Sequence, residues 1–466
     1  MTTIPDFRKT VPQPLPPVQF NIPNFSRTTL DNGLKIVVIP DSRLPLVSYR
    51  LAFNWGDVND PEGLNGISSA VAAMLNEGTF EYSSRQLADQ IERLGASISV
   101  HASDDFTILS ASSLSLYGSA ILRLAAEMAL RPTFPEEELD LYRRNTIEHL
   151  KFQRSQPGFL ANEQAARLLF GGHPYSRVSP SADDIEKLTR GELQRIHSAA
   201  MIPNNATFVV VGDVDKEEIV REIDDLFSGW RPGEYIVPKF ADFPERKERT
   251  LTVVDRPGSA QSNIVLANRA IDRKNPDYFP TIVMNQVLGA GASSRVFMNL
   301  REDKGYTYGA YTRLDTKRLG GDFEATAEVR TAVTGDSLKE FFYELERIRN
   351  EDVPGGELDD AKNFLTGVFP IRAETQEGLT NLIVNQLLFD LPNDYLQTYR
   401  KNINAITSDD VRRVAGLYVR PDEMAMVIVG DAKEIIPQAK QFAEVIEIFD
   451  TEGNSTVLPD HEAAAN

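Results

Sequence analysis

The sequence predicts an α+β protein made of two duplicated halves, each a mainly antiparallel sheet with helices packed on one face. Three observations lead there. Residues 203 to 213 read P-N-N-A-T-F-V-V-V-G-D, and residues 421 to 431 read P-D-E-M-A-M-V-I-V-G-D, at an offset of 218. Upstream, F-P-E-E-E-L-D-L-Y at 134 to 142 echoes V-P-G-G-E-L-D-D-A at 353 to 361, at an offset of 219. Between these marks, segments of period two alternate with segments of helical spacing. One apolar strand recurs by chance easily, but two echoes in register imply a duplicated unit.

The elements follow in chain order. Residues 1 to 24 carry six prolines among the first 23 and read as an extended arm. The first half spans 25–235. Residues 33 to 40 and 49 to 55 read as neighbouring strands. Residues 84 to 94 place Leu87, Ile91 and Leu94 on one helical face. Residues 97 to 103 and 106 to 114 alternate like an antiparallel pair. Helical segments cover 117 to 131 and 135 to 152, the second with proline where it begins and acidic residues in its first turn. An amphipathic helix at 193 to 201 leads into the strand ending at Gly212. A charged, proline-bearing linker occupies 236–250. The second half, 251–450, repeats the helix at 411 to 419 and the strand ending at Gly430. The tail, 451–466, reads as disordered.

Hydrophobic residues make up 41 % of the chain and charged residues 25 %, ordinary values for a globular protein. Lys plus Arg number 49 against 68 Asp plus Glu, a formal charge of −19. Such a surface repels phosphate backbones, and no basic patch offsets it, so nucleic acid is not an expected partner. The absence of cysteine excludes disulfides, thiolate zinc sites, iron–sulfur clusters and a cysteine nucleophile. No apolar run approaches the roughly 18 residues of a membrane helix. No secretory leader is visible either. The expectation is a cytoplasmic protein with no membrane association, or a periplasmic one if a signal has been removed.

Residues 66 to 79, G-I-S-S-A-V-A-A-M-L-N-E-G-T, read as a short apolar helix that carries no reactive group. The five histidines, at 101, 149, 173, 197 and 461, include no pair at H-x-x-x-H spacing. His173, in G-G-H-P-Y, reads as a turn residue. The run L-G-A-G-A-S-S at 288 to 294 lacks the G-K-[ST] of a phosphate loop. No G-x-S-x-G elbow marks a nucleophilic serine. Residues 293 to 303 have helical spacing, Gly305 ends that helix, and Y-T-Y-G-A-Y at 306 to 311 alternates like a strand, with Tyr306 expected on the face of Tyr308. From spacing alone, Arg301 reads as a helix C-terminal cap and Tyr308 as a packing residue.

A resemblance reverses that last reading. N-G-L-K-I-V-V-I-P-D at 32, M-L-N-E-G-T at 74, L-A-D-Q-I-E-R-L-G-A-S at 87, R-P-T-F-P-E-E-E-L at 131, G-H-P-Y-S-R at 172 and S-S-R-V-F-M-N-L-R-E-D-K-G-Y-T-Y at 293 occur in the order seen in the pitrilysin and mitochondrial-processing-peptidase family of inverzincin metallopeptidases. The chain resembles that family from about Ser26 to Phe442. The resemblance implies half of a metallopeptidase clamshell. In active members, H-x-x-E-H supplies two zinc ligands on one helical face and a general base. Aligned on M-L-x-x-G-T, the ligand positions fall at Ser69 and Ala73, the base at Ala72, and a third ligand at or beside His149. The helix at 66 to 79 has thus lost every group the metal needs. The family's Arg and Tyr, which bind the scissile carbonyl across the chamber, fall at Arg301 and Tyr308.

The resemblance therefore implies a non-zinc-binding subunit of a heterodimeric zinc peptidase. No metal or other cofactor is expected in this chain, and zinc is expected in the partner. The expected partners are a homologous subunit carrying H-x-x-E-H and peptide substrates. Such a chain is inactive alone and part of a metalloendopeptidase when paired. A non-catalytic scaffold or a peptide-binding subunit, including a homodimer formed in isolation, is the alternative.

Overall fold

The computed structural model describes residues 22–23, 25–235, 238–443 and 445–456. Among them, twelve strands form two six-stranded sheets. In the first half these are β1 (Ser26–Thr29), β2 (Lys35–Pro40), β3 (Leu46–Phe53), β4 (Ser97–Ala102), β5 (Thr107–Leu114) and β6 (Ala206–Gly212), ordered β1-β2-β6-β3-β5-β4. The second half holds β7 (Thr250–Asp255), β8 (Gln261–Ala270), β9 (Thr307–Thr316), β10 (Gly321–Arg330), β11 (Ala425–Gly430) and β12 (Val445–Phe449), ordered β12-β7-β11-β8-β10-β9. The five strands β2-β6-β3-β5-β4 correspond one to one with β7-β11-β8-β10-β9. In each half the late strand slots in beside the first, parallel to it and antiparallel to the second. The two V-G-D signatures thus occupy equivalent central strands.

Both central strands are buried along their whole length. A continuous Val/Ile run has no polar face to give to water, so each sheet must be covered on both sides. Each half's own helices cover one face, as the sequence suggests. In the first half, Val47, Tyr49, Leu51 and Phe53 of β3 pack with Phe208 and Val210 against Ile67, Ile121, Leu193 and Ile223. Ser84–Arg93 forms a helix whose Leu87 is buried in that core.

The opposite faces are closed reciprocally, which periodicity did not reveal. Helix Gln376–Leu388 of the second half lays Leu379, Ile383 and Val384 over Val37, Ala52, Val209 and Val211 of the first sheet. Helix Pro157–Phe170 of the first half lays Leu160, Ala165 and Leu169 over Val265, Ala267, Val427 and Val429 of the second. Burying each such aliphatic side chain contributes about 1.5–3 kcal/mol. The halves are therefore bound by exchanged cores rather than by a tether. Arg50, on the face of β3 covered by the lent helix, is buried there; its guanidinium donates to Glu377 at 3.0 Å, Asn381 at 3.2 Å and the Tyr49 carbonyl at 3.0 Å.

Two expected segments differ in detail. The linker is pinned: Phe240 and Phe243 pack their rings on His173, at 5.1 and 4.6 Å between centroids. Residues 451–456 are not a free tail, because the chain turns and Ser455 bridges back to Phe449. The remainder of the tail, 457–466, and all of the proline-rich arm except Ile22 and Pro23 lie outside the described residues.

Candidate functional site

The helix that would carry a metal motif is Ile67–Met74, the counterpart of residues 66 to 79. It begins at Gly66, whose φ of 85° lies in the left-handed region open to glycine. Asp60 serves the exposed N–H groups of this start. Its carboxylate accepts from the backbone N–H of Gly66 at 2.6 Å and of Ser68 at 3.1 Å, and from the Ser68 hydroxyl. One turn on, the Ser69 hydroxyl donates to Asp57 at 3.0 Å. Ser69 and His149 face one cavity of 450 Å³, together with Asp57, Asp60, His101 and Tyr142. Ala72 is buried and Ala73 half-buried, and His149 is exposed on helix Glu136–Arg154.

The structure thus brings Ser69 and His149 to one space, but not as ligands, and neither Ala72 nor Ala73 lines it. A methyl group stands at two of the three helix positions, and the third is a hydroxyl already bound to a carboxylate. No group of three or more His, Cys, Asp or Glu side chains is placed to hold a metal among the described residues. Zinc does not fit this donor set, and no metal-dependent step is assigned to the chain. What the cavity has instead is a carboxyl pair. Burial pushes Asp57 up to about 6 and Asp60 up to about 7, with repulsion from Asp104 and from Asp57 respectively adding to it.

Arg301 and Tyr308 lie elsewhere. Residues 293 to 303 do not form one α-helix: a short turn, Arg295–Phe297, passes into a π-helical turn, Met298–Asp303. Gly305, at φ 65°, ends it, its N–H donating to the Arg301 carbonyl at 3.2 Å, while Tyr306 N–H reaches Leu300 O at 2.9 Å. The Arg301 guanidinium lies over the Phe297 ring at 4.8 Å, and among the described residues its side chain caps no helix carbonyl. Tyr308 is 92 % exposed, so it is not a packing residue. Tyr306 lies just ahead of β9, outside the strand.

A bulge sets the direction of Tyr308. Ala310 pairs with Ala327 and Thr307 with Val329, so β9 spends one more residue than β10 over this interval. Tyr308 and Gly309 together oppose Glu328. Strict alternation would place Tyr308 on the buried face of Ala310 and Thr312; the extra residue turns it out.

Neither Arg301 nor Tyr308 lines the first-half cavity. The far end of the β9–β10 hairpin does touch its rim. Lys317 Nζ lies 2.6 Å from Asp104, Arg318 N–H donates to Asp105 at 2.9 Å, and Tyr175 Oη donates to Asp105 at 2.5 Å. Nine residues of extended strand separate Tyr308 from Lys317, roughly 30 Å at 3.4 Å per residue. The exposed Tyr308 is thus held far from the cavity of its own chain.

Sequence reasoning missed Asp57 and Asp60, although W-G-D-V-N-D-P-E just ahead of the helix was a signal for them. His173 is the turn residue expected: its Nδ1 accepts from Tyr175 N–H at 3.1 Å, and burial pushes it down to about 4. His197 is a half-buried structural residue, bonded to the Ala129 carbonyl.

Comparison with known proteins agrees with this architecture. A family model described as insulinase (peptidase family M16) matches residues 35–176, and one described as peptidase M16 inactive domain matches 187–365. An uncharacterized zinc protease of Streptomyces coelicolor is 24 % identical over 402 residues, covering 85 % of this chain and 88 % of that protein. The non-peptidase homolog YmxG of Helicobacter pylori is 22 % identical over 414 residues, 86 % of this chain and 94 % of that one. Among solved structures, a peptidase M16 inactive domain from Pseudomonas fluorescens superposes with a TM-score of 0.82 at 26 % identity, covering 88 % of this chain and 98 % of the other. A protease from Helicobacter pylori superposes at 0.81 and 21 % identity over 88 % of this chain and 100 % of the other, which shows the shared fold. No helix among the described residues is long and apolar enough to cross a membrane.

Proposed function

This chain belongs to the M16 peptidase family as a peptidase-like member without the metal motif, and we propose that it is the non-zinc-binding subunit of a heterodimeric zinc peptidase. Its partner is a homologous chain carrying H-x-x-E-H and the zinc ion. Arg301 and Tyr308 act in trans: they donate hydrogen bonds to the scissile carbonyl of a peptide lying at the partner's metal and stabilise the oxyanion as charge develops there. The observation that carries this reading is Tyr308, turned out of its sheet by a bulge to 92 % exposure and held roughly 30 Å along β9 from its own chain's cavity. A bulge that lifts one aromatic side chain away from its core offers nothing to packing, whereas a donor meant for a second chain has to project in this way.

Hydrolysis of a mixed fluorogenic peptide panel tests it, comparing this chain alone, an H-x-x-E-H homologue alone, and the two together with zinc. Activity that requires both, and that is abolished by chelator and by Arg301→Ala, is the expected result. A stable complex whose activity is indifferent to Arg301→Ala and Tyr308→Phe would replace this reading with the scaffold.

A further inference from the structure

A second cavity, of 240 Å³, lies among helices Gly355–Glu374, Gln376–Leu388 and Tyr395–Asn404 and the segment after β8. It stands apart from Arg301, Tyr308 and the first-half cavity. We propose that it binds the C-terminal residue of a peptide, one with an aromatic side chain and a free carboxylate.

Three features of the walls specify that ligand. Tyr278, Phe369, Tyr395 and Tyr399 make the lining aromatic, with Phe369 and Tyr399 stacked at 4.4 Å between centroids. Flat apolar groups pack well on such rings. Arg273 supplies positive charge. Its guanidinium lies 3.7 Å from the Tyr278 ring centroid and donates to Tyr395 Oη at 2.7 Å, while Nη1 has no hydrogen-bond partner. In a chain of net charge −19, no carboxylate lies within ion-pair distance of Arg273 or of Arg372, a second arginine on the same cavity, among the described residues. Gln386 supplies an acceptor. It is 1 % exposed, its amide nitrogen donates to the carbonyls of Pro392 at 2.6 Å and Asn393 at 3.1 Å, and its Oε1 has no partner.

Buried polar atoms are ordinarily paired. Here an unpaired donor and an unpaired acceptor, from elements more than a hundred residues apart in sequence, belong to one aromatic-walled space. A peptide's last residue carries what each lacks: a carboxylate for Arg273, an amide N–H for Gln386 and a ring for the walls. A nucleotide would also offer an anion and a flat group, but sites for drug-sized ligands run from about 300 to 1,000 Å³. At 240 Å³ this cavity suits a single residue.

Calorimetric titration of the full chain with N-acetyl-phenylalanine tests the proposal, against N-acetyl-phenylalaninamide, N-acetyl-alanine and AMP. The acid should bind, with the amide and the alanine analogue about tenfold weaker or more, since each lacks one of the three features. Arg273→Gln should weaken binding of the acid about tenfold. Arg372→Gln, at an exposed position that leaves the fold intact, carries the same test if Arg273→Gln fails to fold, and should weaken the acid several-fold while leaving the amide unchanged. Equal binding of acid and amide, binding of AMP alone, no heat with the acid at millimolar concentration, or undiminished binding in the folded arginine variants would each overturn it.

Discussion

Tyr308 and Ala310 stand two residues apart in β9 yet on opposite sides of the sheet, the first 92 % exposed and the second fully buried. Period-two alternation forbids that arrangement in a regular strand. The extra residue in β9 permits it, and the buried neighbours keep it in place.

Because Tyr308 is almost fully exposed and Arg301 lies at the surface against the Phe297 ring, Tyr308→Phe should leave the melting temperature of the isolated chain unchanged and Arg301→Ala should lower it only slightly. In the reconstituted heterodimer, each should lower turnover about 10²- to 10³-fold, the cost of losing one oxyanion donor. A melting curve and a single peptide assay separate the two effects. A large loss of stability in either variant would reassign the residue to packing.

The carboxyl pair makes the first half sensitive to pH. Asp57 and Asp60 have folded-state values of about 6 and about 7, above their unfolded values near 4. The folded state therefore holds more protons than the unfolded state over that interval, and stability falls as pH rises from about 4 through 7. Asp57→Asn should flatten this fall in a series of melts between pH 4 and 8. An unchanged slope would mean that Asp57 does not hold the extra proton in the folded state.

Exchange of helices between the halves predicts a crossed effect. Ile383 belongs to the second half but is buried on the first sheet, so Ile383→Ala should cost about 2–5 kcal/mol. Amide hydrogen exchange should then quicken in β3 and β6 before β8 and β11. Leu169→Ala, buried on the second sheet, should give the reverse order. Exchange confined to the mutated half would contradict the reciprocal packing.

Metal should not stabilise the isolated chain. A site filled at a hundred times its dissociation constant adds about 2.7 kcal/mol to folding. Melts with excess zinc and with chelator should superimpose here, since Ser69, Ala72 and Ala73 offer no ligand set. A zinc-dependent rise in melting temperature that His149→Ala removes would restore a metal site to this cavity.

Much of the architecture was legible because it is written in short-range patterns. The V-G-D repeat located the two central strands, and the spacing of Leu87, Ile91 and Leu94 located a helix whose Leu87 is fully buried. The loss of the zinc motif was also plain, since a methyl group can neither act as the base at residue 72 nor coordinate at residue 73 in any fold. Less was legible in the site. Asp57 and Asp60 acquire their shifted proton affinities only when the 67–74 helix and Tyr142 close over them. Arg273 and Gln386 share a cavity only because three helices converge. Neither relation leaves a periodic trace.

By itself the sequence determined the α+β class, the duplication and the loss of the zinc motif, because period, repeat and side-chain chemistry are local properties of the chain. Tertiary structure alone decided that each half closes the other's sheet, since a helix carries no mark of which distant face it will cover. It also decided the outward direction of Tyr308. That direction depends on β10 being one residue shorter than β9 across the bulge, a mismatch that exists only once the two strands are paired.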